Sequence, residues 1–270
     1  MRKYVAALWC AVVAISVPSI TYAADVWDLA SDNDDTASST RNVLWHTAPV
    51  QVHDLKAQHG VADDDWFRIY PRALRSYEAQ IVNITGDGNT WTNRIKRYGA
   101  DGVTLLQNGV ALDEGGLLTT LRWIHGSRSS PEFLRVLAGS VSPSSASQYS
   151  IQLRETTLYC PRYNDSGSQT SVLLIQRTDP DSSNPCSYEV RFNSSTGVEV
   201  GSAAGTLASA GAGNVLSVIQ TGTVPGVGGT SGSAFVAHTC GFGGINAKVV
   251  QLEPSTGFSF DTSCTTRPTN

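Results

Sequence analysis

Past its first two dozen residues the chain has no apolar run approaching about 18 residues, so no membrane-spanning helix is expected there. It lacks a C-x-x-C pair. The cysteines after Cys10 are Cys160, Cys186, Cys240 and Cys264, spaced by 26, 54 and 24 residues, which argues against a structural zinc site. A basic excess is also missing. With 19 basic and 23 acidic residues, neither nucleic acid nor an anionic membrane is expected as the main partner. No segment repeats apolar residues at helical spacing for three turns, and that absence excludes a helical bundle.

What is present begins with an export signal. Met1, Arg2 and Lys3 form a short basic region, residues 4 to 17 an apolar stretch, and Thr21 and Ala23 the small residues of a cleavage site. Residues 1 to 23 read as a signal peptide, with cleavage after Ala24 as the alternative; Cys10 leaves with it. The remaining 247 residues carry a net charge of −6, with Arg2 and Lys3 gone. The expected location is periplasmic or extracellular. Four cysteines in an exported protein favour two disulfides.

The expected fold is all-β, as two consecutive β-sandwiches over residues 25 to 156 and 157 to 264, with a polar junction near Glu155 to Leu158 and a tail from 265 to 270. In the first half, Trp66–Ile69, Tyr77–Ile81, Val103–Leu106, Phe133–Val136 and Tyr149–Leu153 alternate with period two. Asn108-Gly109 is a tight-hairpin signal, because both turn residues tolerate positive φ. Two acidic knots stand out: Asp32, Asp34 and Asp35 near Thr36, and Asp63-Asp64-Asp65 before Trp66. Charge this dense is either solvated or bridged by a hard cation with oxygen ligands.

The order "SDNDDTASST", "VHDLKAQHGVADDDWFRIYP", "SYEAQIVNIT", "EFLRVLAG" and "YSIQLRE" resembles the bacterial pre-peptidase C-terminal (PPC) domain over residues 27 to 156. That family is a β-sandwich appended to secreted peptidases, and related collagen-binding modules hold calcium through the acidic opening and a second acidic loop. The resemblance implies Asp32, Asp34, Asp35, Asp63 and Asp65 as calcium ligands. Asp32 and Asp34 stand where the family has Glu and Asn, which keeps oxygen donors and raises the negative charge.

In the second half, residues 171–177, 186–193, 214–220, 233–239 and 246–252 read as strands. Cys186 begins one on its buried face, with Tyr188, Val190 and Phe192, and Cys240 follows the end of another. If those strands are antiparallel neighbours, Cys186 pairs with Cys240 and Cys160 with Cys264; two other connectivities stay open. "YCPRYNDSGSQTSVLLIQ" and "GTSGSAFVAHTCGFGGINAKVVQLEPSTGFSFDT" are similar to a β-rich unit of exported bacterial proteins to which no activity is attached.

"GGTSGSAF" raises the question of a serine nucleophile at Ser231, which needs a histidine base and an orienting acid. His46, His53, His59 and His125 lie upstream, none in the small-residue setting of such a base, and the fifth position of the would-be nucleophile elbow is Ser233 rather than glycine. His238 reads as structural. Asp113 and Glu114 are adjacent and point apart, so they do not make a glycosidase pair. Trp91, Arg94, Lys96, Arg97 and Tyr98 form either a solvated loop or a binding patch. The expected function is therefore non-catalytic: binding a protein, glycan or cell-surface component, or assisting an exported enzyme. A serine hydrolase using Ser231 and a structural adhesion component are the alternatives.

Overall fold

The computed structural model describes residue 27 and residues 34–55, 64–84, 95–111, 118–126, 131–137, 148–178, 184–209 and 216–267. Among them the chain is all-β, without an α-helix, and all strand pairs within the sheets are antiparallel. The first half forms two sheets. One runs β1 (Gln51–Asp54), β9 (Gln148–Glu155), β3 (Ser76–Asn83), β7 (Leu118–Ile124) and β6 (Val110–Ala111); the other runs β2 (Asp64–Ile69), β8 (Glu132–Leu137), β4 (Ile95–Tyr98) and β5 (Leu105–Asn108). Alternation explains their packing. Tyr77, Ala79 and Ile81 of β3 meet Phe67 and Ile69 of β2 and Leu134 and Val136 of β8 in one buried cluster spanning both sheets.

The second half repeats the layering. One sheet is β13 (Glu199–Leu207), β12 (Cys186–Ser194), β15 (Ser231–His238), β10 (Leu158–Asn164) and β18 (Thr265–Thr266); the other is β14 (Leu216–Gln220), β11 (Thr170–Arg177), β16 (Ile245–Glu253) and β17 (Phe258–Ser263). Cys186, Tyr188, Val190 and Phe192 face Leu173, Ile175 and Val249 across this second core. Register places the cysteines. Tyr188 lies opposite His238, so two residues further along Cys186 meets Cys240; Leu158 lies opposite Thr266, so Cys160 meets Cys264. Both pairs are disulfide-bonded, with Cα–Cα distances of 5.1 and 4.1 Å.

Two local expectations are corrected. Asn108-Gly109 is not a hairpin turn: β5 pairs with β4 in one sheet and β6 with β7 in the other, so the chain changes sheets at Gly109. Glycine is required by close approach, since a Cβ would stand 2.5 Å from Ile95 Cγ2 and 2.9 Å from Thr119 Cγ2. The polar junction is buried: Thr156 and Thr157 are enclosed, and Thr157 Oγ1 accepts from Ser76 N at 2.9 Å. The expected tail contributes Thr265 and Thr266 to a strand against Tyr159 and Leu158.

The glycines around Ser231 also have structural causes. Gly229 adopts φ +79°, and its N–H donates to Asp165 O at 3.1 Å. Ser231 begins β15 opposite Asn164. A Cβ on Gly232 would stand 1.9 Å from Asn193 O, so only glycine lets β15 lie this close to β12. Gly232→Ala is expected to destabilise the protein by about 1–3 kcal/mol or more, whereas Gly126→Ala, with nothing within 4 Å of its Cβ, should change stability by less than about 0.5 kcal/mol. Urea unfolding of the two variants checks this.

Candidate functional site

Two polar sites lie outside ordinary sandwich packing. The first joins the acidic opening to β2. Trp66 N donates to Asp34 O at 3.0 Å, Arg68 N to Asn42 O at 2.8 Å, and Thr40 Oγ1 to Trp66 O at 2.6 Å, so residues 34–44 cover the open edge of β2. Period two then sorts the aspartates. Asp64 points outward and pairs with Arg135, while Asp65 shares the core face with Phe67 and Ile69.

Asp34, Asp65 and His53 are all buried, and one potential ligand atom from each lies within 4.8 Å of the others. Tyr149 donates its hydroxyl to Asp65 Oδ2, and Asn42 Nδ2 lies 3.4 Å from Asp34 Oδ2. Asn42 Oδ1 is buried and accepts no hydrogen bond among the described residues. The imidazole stacks on Tyr149, with centroids 5.6 Å apart, and meets the edge of Phe67; its Nε2 is 3.1 Å from Gln51 Oε1.

Two carboxylates at this depth are costly without a cation or a proton shared within the group. Asp34 and Asp65 are hard oxygen donors of the kind calcium takes, whereas His53 is a nitrogen donor better suited to a transition metal, and Asn42 turns its amide N–H toward Asp34. Of the ligands implied by the resemblance, Asp34 and Asp65 come together, Asp35 is exposed and outside the group, and Asp32 and Asp63 lie outside the described residues. Asn42 and His53 were not foreseeable as members, because neither belongs to an acidic run and only tertiary structure brings them near.

The second site lies at the seam between the two halves. In register, Glu78 of β3 stands between Arg122 of β7 and Arg154 of β9. Its carboxylate accepts from Arg122 Nε at 2.7 Å and from Phe242 N at 3.1 Å, and lies 3.8 Å from Arg154 Nη1. These side chains occupy the outer face of their sheet, yet Glu78 is only 3% exposed, because the turn after β15 packs onto it. His238 adds a second tie, with Nε2 2.7 Å from Thr156 O and Nδ1 3.2 Å from Cys240 O.

Beside the seam is a cavity of about 640 Å³, whose walls include His46, Arg72, Arg154 and Glu155 from the first half and Phe242 and Arg267 from the second. Glu155 is held by the Tyr159 hydroxyl and lies 3.6 Å from His46 Nε2. Burial lowers the pKa of His46; Glu155 opposes that shift and Arg72 reinforces it. Arg154 packs over the Phe242 ring at 4.8 Å.

The remaining sequence-level candidates are dispersed. Arg97 and Tyr98 do not form a surface patch: Arg97 makes two bonds to Glu132 at 2.7 and 2.8 Å and lies over Trp123, and Tyr98 is buried against Trp66 and Phe133. Lys96 is partly buried on the same strand. Trp91, Arg94, His59, Asp113 and Glu114 lie outside the described residues. Among the described residues no hydrogen bond joins Ser231 to a histidine: His53 packs against Phe67, His46 faces Glu155, His125 is 3.5 Å from Glu132, and His238 faces two carbonyls.

No protein-family model matches this chain, and no curated protein matches it. Among solved structures, a glycosyl hydrolase family 2 member from Bacteroides cellulosilyticus DSM 14838 is similar at 9% identity, over 74% of this chain and 28% of that chain, with a TM-score of 0.21. The chain spans little more than a quarter of that structure's length, and a likeness at this level supports no argument about activity.

Burial pushes the pKa of His238 down to about 4 from an ordinary 6.5, against the pull of the Thr156 and Cys240 carbonyls. Between these values the unfolded chain takes up a proton that the folded chain refuses, so stability falls as pH drops from 6.5 to 4, by roughly 3 kcal/mol in all. Denaturant titrations across that window should show this slope, and His238→Gln should reduce it.

Proposed function

We propose that this chain is an exported, non-catalytic binding or accessory protein: a PPC-like sandwich followed by a disulfide-bonded one, with the ligand taken at their seam. The observation that carries this reading is the seam cavity, which neither half builds alone and which has the size of a small-molecule site. The two disulfides accord with a periplasmic or extracellular location. Among the described residues no helix is long and apolar enough to cross a membrane.

A serine hydrolase at Ser231 is the rival. Its hydroxyl sits at the start of a paired strand, and the described histidines are engaged elsewhere. A fluorophosphonate probe should leave the folded protein unlabelled; labelling that disappears in Ser231→Ala would overturn the non-catalytic reading.

The PPC-like half would use calcium as a clip, with Asp34 and Asp65 contributing carboxylates from the opening segment and β2, and the Asn42 amide N–H holding the Asp34 carboxylate in place. The clip would hold residues 34–44 against the edge that they cover. Calcium at about 100 times its Kd should stabilise the protein by about 2.7 kcal/mol relative to chelator, and Asp65→Ala and Asp34→Asn should lose the effect. An unchanged melting temperature, or a rise with manganese or zinc but not calcium, would remove the calcium assignment.

A further inference from the structure

The seam cavity has a chemical character that the whole chain does not share. The protein carries a net charge of −4, yet Arg72, Arg154 and Arg267 line this cavity with one carboxylate, Glu155. That carboxylate is already engaged by Tyr159 and lies 4.0 Å from Arg75 Nε. Arg154 is likewise committed, donating to Gln152 Oε1 at 2.6 Å and Gln80 Oε1 at 3.3 Å. Arg72 and Arg267 are exposed, and among the described residues neither guanidinium has an ion-pair partner. A guanidinium offers parallel N–H donors matched to a carboxylate, so these two groups are ready for an anion.

Aromatic surface accompanies the charge. Phe242 is half exposed in the cavity wall. Trp45 and Tyr70 stack with centroids 5.3 Å apart and are 50% and 41% exposed. Trp45 adjoins His46, and Tyr70 is two residues from Arg72, so this pair lies on the same two segments as those lining residues without itself lining the cavity. Flat, half-wet aromatic rings beside hydrogen-bonding groups suit the C–H face of a sugar ring. The other lining residues, including Thr47, Ala48, Pro49 and Thr266, supply no deep apolar socket for a peptide side chain.

We infer that the seam cavity binds a short acidic saccharide, a carboxylated sugar whose carboxylate meets Arg72 and Arg267 while its ring lies against Phe242. This rests on the proposed reading of the chain as a binding protein and names the ligand class for that same cavity. Selectivity would come from charge: a neutral sugar of equal length gains the stacking and leaves both guanidinium groups unanswered.

The full chain, expressed in oxidising conditions, is titrated calorimetrically with trigalacturonate, trimannuronate, maltotriose and a glutamate-rich hexapeptide. At least one uronate should bind, maltotriose at least tenfold more weakly, with affinity falling as salt rises. Arg72→Gln and Arg267→Gln, both at exposed positions, should each weaken binding roughly tenfold at an unchanged melting temperature. Phe242→Ala should weaken it while preserving the salt dependence. Failure of both uronates, equal binding of maltotriose, or indifference to both arginine variants overturns the proposal. Peptide binding without uronate binding, lost in Arg72→Gln, overturns the saccharide and leaves the binding reading standing. Cleavage of the saccharide overturns the non-catalytic reading itself.

Discussion

The buried carboxylate of Glu78 is the constraint on which the arrangement of the two halves depends. It lies on the outer face of a sheet, where a glutamate would ordinarily be solvated, and it is held in register between Arg122 and Arg154 while accepting the N–H of Phe242. Removing one partner from such a buried charge group typically costs about 3–5 kcal/mol. The turn must therefore stay where that N–H is. Gly241 permits this approach, since a Cβ there would stand 2.8 Å from Arg122 Nη2, and the disulfide of Cys240 to Cys186 ties the turn to the start of β12. Phe242 thereby becomes a fixed wall of the seam cavity.

The other contacts across the seam reinforce that placement. Arg75 lies over Phe235 at 3.8 Å and Tyr159 at 5.3 Å, and Tyr159 reaches Glu155. Thr156 and His238 close the junction from opposite sides, with Thr156 N donating to Ser76 O at 2.9 Å. Only Thr156 and Thr157 separate β9 from β10, so the chain passes from the first core to the second without a free linker. The cavity thus has residues of both halves in its walls and little slack between them.

Much of the fold was legible where one face of a strand is buried. "CSYEVRFN" alternates as read, and the cysteines at the ends of β12 and β15 meet because antiparallel register brings a strand's start beside its neighbour's end. Strand β13, "EVGSAAGTL", gave no such signal. Its small residues are chosen for closeness: a Cβ on Gly205 would stand 2.4 Å from Tyr188 Oη, and one on Gly201 2.4 Å from Pro225 O. Asn108-Gly109 misled for the same reason, since glycine serves both positive φ and close approach and sequence does not separate the two.

The sites were less legible. Period two does place Asp65 with Phe67 and Ile69, so a buried acid in β2 was readable, and the acidic opening does run beside it. His53 and Asn42 join that group only through folding. The seam was invisible, because Glu78, Arg122 and Arg154 read as outward, solvated positions until the second half covers them, and Arg72 and Arg267 are 195 residues apart in sequence. Calorimetric unfolding of the wild type and Glu78→Gln tests whether Glu78 couples the two halves. One cooperative transition is expected for the wild type and two for the variant, as the halves uncouple; a single transition in the variant, or two in the wild type, would show that Glu78 does not hold the halves together.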